Sequence, residues 1–314
     1  MNRSMIRIAL SIHRNHNTRV SHSVMLTFAV CFAAFILFFS CTAPIDIHTK
    51  NSEQVPVIYG YLTDEFKNQL VRVTRSSPYF QKEENQIIAD AKVWVTSSTG
   101  REYTFEHDSK GYYLSQRRFA AEPGVTYRLT VEVDFLDDGV VECYEAETTT
   151  LPVTPADSVS ISMLSIMGFL HYSLNISMQD PPETENYYLF KYFINDTISN
   201  EKISDHLISD DALFNGQYMT NANVQFFNAA SDFEETENNR DLFLVNPGDK
   251  IRLQVLNIEK EYYYFIRDCT MEKYGSNPFF GGPPSNVFTN LSNGAIGFFS
   301  SFCIQEFNTA IPDD

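Results

Sequence analysis

The chain has 314 residues, of which 43% are hydrophobic and 14% aromatic, and its 40 acidic residues outnumber 23 basic ones to give a formal net charge of −17. This hydrophobic content is enough to build one large core or two ordinary ones, which excludes a disordered chain. An acidic surface repels phosphate backbones and argues against nucleic-acid binding as a main function.

The amino-terminal segment has the pattern of a lipoprotein signal peptide. Residues 24–39 are apolar apart from Thr27, follow a basic region, and end at Ser40 and Cys41. At about 1.5 Å per residue this run is roughly 24 Å long, which is short for a membrane-spanning helix and suits a signal peptide. We expect a signal peptide over residues 1–40, a palmitate-bearing lipid anchor on Cys41, and a tether over 41–56. An uncleaved anchor is the alternative, and either exports the domain.

The next segment predicts a β-sandwich over residues 57–151. Residues 57–61 are expected to form its first strand. Residues 70–73, 91–95 and 125–133 alternate apolar with mostly polar side chains, which indicates strands with one buried face. Turn signals separate these strands, among them Glu122-Pro123-Gly124. The fold expected here is mainly β, an immunoglobulin-like or transthyretin-like sandwich.

A linker with two prolines, residues 152–158, ends that pattern, and a second β-rich domain is predicted over 159–314. Strands are expected at 159–164, 172–178, 187–194 and 251–255, whereas 195–240 is weakly patterned and predicts long loops around short strands. One helix is predicted near 259–274, because Tyr262, Phe265, Ile266 and Cys269 share one helical face.

Cysteine usage in the mature chain is sparse. Beyond Cys41 only Cys143, Cys269 and Cys303 remain, and three thiols cannot all pair within the chain. The sequence leaves open whether two of them form a disulfide.

Several short motifs, taken in order, cover nearly the whole mature chain. They are residues 57–64 (VIYGYLTD), 89–93 (ADAKV), 111–113 (GYY), 122–129 (EPGVTYRL), 152–158 (PVTPADS), 247–249 (PGD), 261–265 (EYYYF), 276–279 (SNPF) and 293–299 (NGAIGFF). In this order they resemble a lipoprotein family of Bacteroidota that is catalogued as a domain of unknown function. The resemblance implies an outer-membrane lipoprotein with a TonB-dependent receptor as partner and an accessory role in nutrient uptake. It assigns no catalytic residue.

Two kinds of polar site are hypotheses from the sequence. Asp134, Asp137 and Asp138 cluster at a hairpin tip, where oxygen ligands favour a weak calcium site over catalysis. Ser158 and Thr197 each follow an aspartate in short motifs that resemble an O-glycosylation signal of exported proteins.

Neighbouring aromatic pairs are the strongest indication of a contact surface. Adjacent side chains on a strand point to opposite faces, so one ring of some pairs faces outward. Phe279 and Phe280 precede a Gly/Pro-rich segment and form the predicted contact loop.

The sequence therefore favours a non-enzymatic outer-membrane lipoprotein that binds a small molecule, glycan or peptide, or that assists a TonB-dependent receptor. Two other classes stay open: a surface adhesin or assembly protein, and a glycan or peptide hydrolase. No cofactor is expected beyond the covalent lipid, and whether the domain faces the periplasm or the cell surface stays open.

Overall fold

A computed structural model describes residues 54–76, 86–232, 243–274 and 287–313, which form seventeen strands and one α-helix. The fold is mainly β, as predicted. Cys41 and the predicted contact loop at Phe279 and Phe280 lie outside the described residues. Within the described ranges, no helix combines the length and hydropathy needed to cross a membrane.

The first sheet has eight strands. They are β1 (Pro56–Thr63), β2 (Leu70–Arg75), β3 (Lys92–Ser97), β4 (Glu102–Ser109), β5 (Tyr112–Ser115), β6 (Thr126–Val133), β7 (Glu142–Thr149) and β16 (Ile296–Phe302). Their order is β16-β1-β2-β5-β4-β3-β6-β7, and every neighbour pair is antiparallel except β1 with β16. The predicted alternation is confirmed in β6, where Tyr127, Leu129 and Val131 point into the core.

This sheet curves so that its two edges come together, and it forms the first of two sandwich-like layers. Ser292, just before β16, donates its backbone N–H to the carbonyl of Glu145 on β7 at 2.9 Å, and Leu151 forms a parallel bridge with Phe302. One hydrophobic core fills the interior and includes Phe299 of β16 beside residues of β1 to β7. The meeting of the edges protects backbone groups that an open sheet would expose.

A second sandwich is formed by two smaller sheets. They contain β8 (Ala156–Ile166), β9 (Phe169–Gln179), β10 (Tyr187–Ile194), β11 (Thr197–Ile198), β12 (Leu207–Asp210), β13 (Tyr218–Ala229), β14 (Leu244–Val245), β15 (Lys250–Asn257) and β17 (Ile304–Ala310). One sheet has the order β11-β10-β15-β17 with β12 also on β10, and the other has the order β14-β13-β9-β8. Their shared core includes Tyr172, Leu174, Tyr188 and Leu253.

The expectation of only short strands within 195–240 is wrong, because β13 is twelve residues long. Its register against β9 shifts between Met219 and Ala222 and again between Asn223 and Gln225. Each shift changes which side chains face the core, so the period of two disappears from the sequence although the strand continues.

The predicted helix is confirmed as α1 (Lys260–Tyr274). Tyr262 and Phe265 each lie 5.1 Å, ring to ring, from Phe298 of β16. Leu189 of β10 and Leu256 of β15 belong to the same buried cluster. The helix therefore packs on the second sandwich, as expected, and also on the last strand of the first sheet.

The pairing of β16 with β1 connects the two predicted β-rich domains. It places Ile296 beside Val57 and Phe302 beside Thr63. The boundary predicted from the sequence at 152–158 assigns the two members of each pair to different domains. The boundary at 152–158 stays a prediction, but the first sheet contains a strand from the second predicted domain. Cys143, Cys269 and Cys303 are free thiols in the structure.

A buried pair of hydroxyls joins β1 to the helix. The Oη atoms of Tyr59 and Tyr262 are 2.7 Å apart. We expect either single Tyr→Phe substitution to lower the free energy of unfolding by about 1 to 2 kcal/mol, because the remaining buried hydroxyl loses its partner. The double substitution should lower the free energy of unfolding by less than the sum of the two single effects, since no hydroxyl is then left unpaired. Urea denaturation of the four proteins tests this, and simple additivity would contradict it.

Candidate functional site

A cleft of about 800 Å³ lies between the outer face of the first sheet and the β10-β15-β17 sheet. We call it the inter-sheet cleft. The first sheet contributes side chains of β1, β2 and β5 that point away from its core, because alternate residues of a strand face opposite sides. The side chains that line the cleft include Tyr59, Tyr61, Arg72, Tyr112, Lys191, Phe193, His206, Arg252, Gln254 and Phe302. Its volume is within the range of small-molecule sites, about 300 to 1,000 Å³.

Lys191 is the most unusual residue of the cleft. Its neighbours on β10 are apolar, it is only 8% exposed, and its Nζ lies 4.8 Å from the ring centre of Tyr61 and 5.4 Å from that of Phe302. No carboxylate pairs with this ammonium among the described residues. Burial lowers the pKa of Lys191 to about 8, since the charged form is poorly solvated there.

His206, which precedes β12, is also buried and faces the cleft. It is 7% exposed, and its Nδ1 has no hydrogen-bond partner within the described part of the chain. Burial, reinforced by the nearby charge of Lys191, lowers the pKa of His206 to about 3. The imidazole is therefore neutral at physiological pH.

Arg252 of β15 provides a second cation on the same sheet face. Its guanidinium carbon lies 3.8 Å from the ring centre of Phe193, and its Nη1 is 3.3 Å from a carboxylate oxygen of Glu306. The side-chain amide of Gln254 donates to the same carboxylate at 3.1 Å. Arg252 thus has an ion-pair partner within the chain, whereas Lys191 forms no ion pair among the described residues and is only weakly affected by the more distant Glu65.

The lining of the cleft is basic although the chain is acidic. Basic side chains outnumber acidic ones by five to two, with Lys67, Arg72, Lys191, Lys202 and Arg252 against Glu65 and Glu201. Glu65 is already paired with Lys67 at 2.5 Å. The remaining charge favours an anionic occupant, because a cation as buried as Lys191 acts on an anion through less water than an exposed cation does.

The aspartates predicted as a weak calcium site lie in the turn between β6 and β7. Asp134 accepts the backbone N–H groups of Asp138 and Gly139 at 3.1 and 2.9 Å, and Asp137 pairs with Arg75 at 3.1 Å. These bonds shape the turn. No group of three metal-binding side chains occurs within the described ranges, and calcium binding stays a prediction.

The other predicted sites are separate from the cleft or undescribed. Ser158 on β8 and Thr197 on β11 are exposed, as a modification would require, and their glycosylation stays a prediction. The cleft itself was not foreseen. One signal was present in the sequence, since Lys191 interrupts the apolar run of β10, YYLFKYFI.

Together, the two sandwiches and the inter-sheet cleft define a β-rich protein with an aromatic, basic site between its sheets. The chain belongs to the family described as "Domain of unknown function (DUF4249)", whose model matches residues 42–307.

Comparisons with other proteins add little to this assignment. The search of curated proteins gave no match. Among solved structures, a two-domain fibronectin type-III segment of chicken tenascin is 11% identical, with a TM-score of 0.18, over 65% of this chain and 90% of that one. A Salmonella alpha-2-macroglobulin mutant is 10% identical, with a TM-score of 0.21, and 83% of this chain matches 15% of that one. Similarities this weak carry no functional argument.

Proposed function

We propose that this protein is a lipid-anchored outer-membrane lipoprotein that binds a small ligand without chemical turnover, as the accessory subunit of a TonB-dependent uptake system. The inter-sheet cleft, in which the buried Lys191 has no ion-pair partner among the described residues, is the observation that carries the proposal. A concave site with aromatic walls and a few polar groups is the usual form of a small-molecule site. Cys41 after the apolar run supports the anchor, and the resemblance to Bacteroidota lipoproteins supports the location and the partner.

Binding is favoured over catalysis by the surroundings of the titratable groups in the cleft. The Nζ of Lys191 faces the rings of Tyr61 and Phe302. No carboxylate among the described residues forms a hydrogen bond with the neutral His206, so that ring lacks the partner that usually orients a catalytic base.

A separate surface supports the protein partner. The hairpin joining β8 to β9 exposes Met163, Leu164, Ile166, Met167 and Phe169, which we call the apolar hairpin tip. Met167 is 95% exposed and has a φ of 53°, a conformation that costs free energy for a residue other than glycine. An exposed apolar side chain in a strained turn contributes no free energy of burial within the monomer, and this favours docking of the tip to another protein.

The proposal is tested by affinity purification of the tagged lipoprotein from its native membrane in mild detergent, followed by mass spectrometry. We expect a TonB-dependent receptor in stoichiometric amount, and we expect Met167→Asp to lose it, since a charge at the tip opposes burial. Leu213→Asp is the matched control, because Leu213 is 92% exposed and lies near the opposite end of β9. An empty purification that persists after gentle cross-linking would reject the uptake role.

The apolar hairpin tip also fits one alternative, a surface adhesin or assembly protein. In that case the purified protein would associate with itself or with host matrix, and Met167→Asp would abolish this association while no receptor is recovered. Analytical ultracentrifugation of both proteins separates the two functions.

A further inference from the structure

We propose that the inter-sheet cleft is specific for an organic anion, whose carboxylate lies at Lys191 and whose apolar or aromatic body lies against the surrounding rings. This inference deepens the proposed function and rests on it, because it names the chemical class of the ligand. Four features of the cleft support it independently of the protein's location.

The first feature is the missing counter-charge. A buried ammonium is costly unless an anion or hydrogen-bond acceptors compensate it. Lys191 is more than nine-tenths buried, and ring faces are its only close partners within the described residues. A ligand carboxylate would supply the missing charge and form a charge-assisted hydrogen bond with Nζ.

The second feature is the arrangement of neighbouring side chains on the sheet. Lys191 lies directly opposite Gln254, and Phe193 lies opposite Arg252, so Lys191 and Arg252 are diagonal neighbours on one face. Glu306, opposite Gln254 on β17, binds Arg252 and Gln254. The chain thus places a carboxylate against Arg252 and Gln254, whereas no carboxylate of the described residues forms an ion pair with Lys191, and the nearby Glu65 is paired with Lys67.

The third feature is the apolar wall around that end. The rings of Tyr61 and Phe302 are stacked, with centroids 5.6 Å apart. Tyr59, Tyr112 and Phe193 add further aromatic surface to the lining. A fully polar anion such as inorganic phosphate would leave these rings without a partner, whereas an anion with an aromatic or aliphatic body covers them.

The fourth feature is the unpartnered nitrogen of His206. The neutral ring carries a single N–H, and its buried Nδ1 has no hydrogen-bond partner among the described residues, so with the proton on Nε2 this nitrogen is a free acceptor. A ligand with a hydroxyl or N–H group near its carboxylate would satisfy it. We therefore chose a probe with a carboxylate, an aromatic body and an N–H donor.

The probe pair is indole-3-acetate and its neutral twin indole-3-acetamide, titrated by calorimetry into the detergent-solubilised mature lipoprotein at pH 7. We expect the carboxylate to bind at least tenfold more tightly than the amide. This is the gain in affinity that a charge-assisted hydrogen bond usually provides. Lys191→Met should remove this preference, and Lys191→Arg should restore most of it. Lys250→Met is the charge-matched control, since Lys250 is exposed on β15 and should leave the preference unchanged.

The outcomes separate this inference from the proposed function. If both probes bind equally, or if Lys191→Met keeps the preference, the anion specificity is wrong while small-molecule binding stands. If neither probe binds at 10 mM and no small molecule is released from protein purified from its native membrane, the binding function is wrong and the inference falls with it. A thermal melt of each variant excludes misfolding as the cause.

Discussion

Replacing Gly297 with alanine is expected to lower the free energy of unfolding of the protein by at least about 3 kcal/mol. Gly297 has a φ of 116°, where only glycine is comfortable. A Cβ atom there would lie 2.0 Å from the carbonyl oxygen of Ile58, which is its partner in the parallel pairing of β1 with β16. The backbones of β1 and β16 would have to move apart at this position of their pairing.

Gly294→Ala is the matched control for this substitution. Gly294 also has a positive φ, 75°, but a Cβ there would meet nothing within 4 Å. Gly294→Ala should therefore lower the free energy of unfolding only through backbone strain, by about 1 kcal/mol. Urea denaturation of the three proteins measures both effects, and equal losses in the two variants would show that the close approach to Ile58 is unimportant.

Lys191→Met is expected to have the opposite effect and to raise the free energy of unfolding at pH 7 by up to about 3 kcal/mol. The pKa of Lys191 falls from its ordinary value of 10.5 to about 8 in the folded protein, so the fold disfavours the charged form. Methionine has nearly the same shape and removes the ammonium without opening a large cavity.

The same substitution should change the pH dependence of stability. Below pH 8 Lys191 is protonated in both the folded and the unfolded state, so the full free-energy cost of burying its charge lowers the stability of the wild-type protein. Between about pH 8 and 10.5 the unfolded state binds more protons, so the wild-type protein gains stability as the pH rises. Glu65, Lys67 and His206 are the charged or titratable groups coupled to Lys191, and the pKa of His206, about 3, lies far below this window.

The measurement is a set of urea denaturation curves between pH 7 and 10.5. The difference in stability between wild type and Lys191→Met should shrink through this range, whereas Lys250→Met should follow the wild type throughout. A destabilised Lys191→Met protein with an unchanged alkaline profile would mean that the ammonium is stabilised by the rings of Tyr61 and Phe302 more than burial disfavours it.

The sequence predicts those parts of the fold whose evidence is local. The helix near 259–274 and the strand at 125–133 each repeat their apolar residues at a fixed period, and both occur where expected. The length of β13 was missed because two register shifts interrupt its period. The pairing of β16 with β1 has no local signature, since its partners lie more than two hundred residues apart.

The candidate site was not predictable for the same reason. Its lining comes from strands of three parts of the sequence, and only the packing of the two sandwiches brings Tyr61, Lys191 and Phe302 together. The lysine within the apolar run of β10 was the single local indication. A charged side chain in a strand buried on both faces requires a specific partner, and the sequence does not say which residue or ligand provides it.

The pairing of β16 with β1 also constrains how the chain can be made. A ribosome releases the first seven strands long before it reaches residue 296, so nascent β1 has an unfilled parallel edge for most of translation. Such an edge is a template for aggregation until β16 has been synthesised and pairs with it. Products that terminate before residue 296 lack the strand that pairs with β1, so closure of the first sheet requires that synthesis has passed β16.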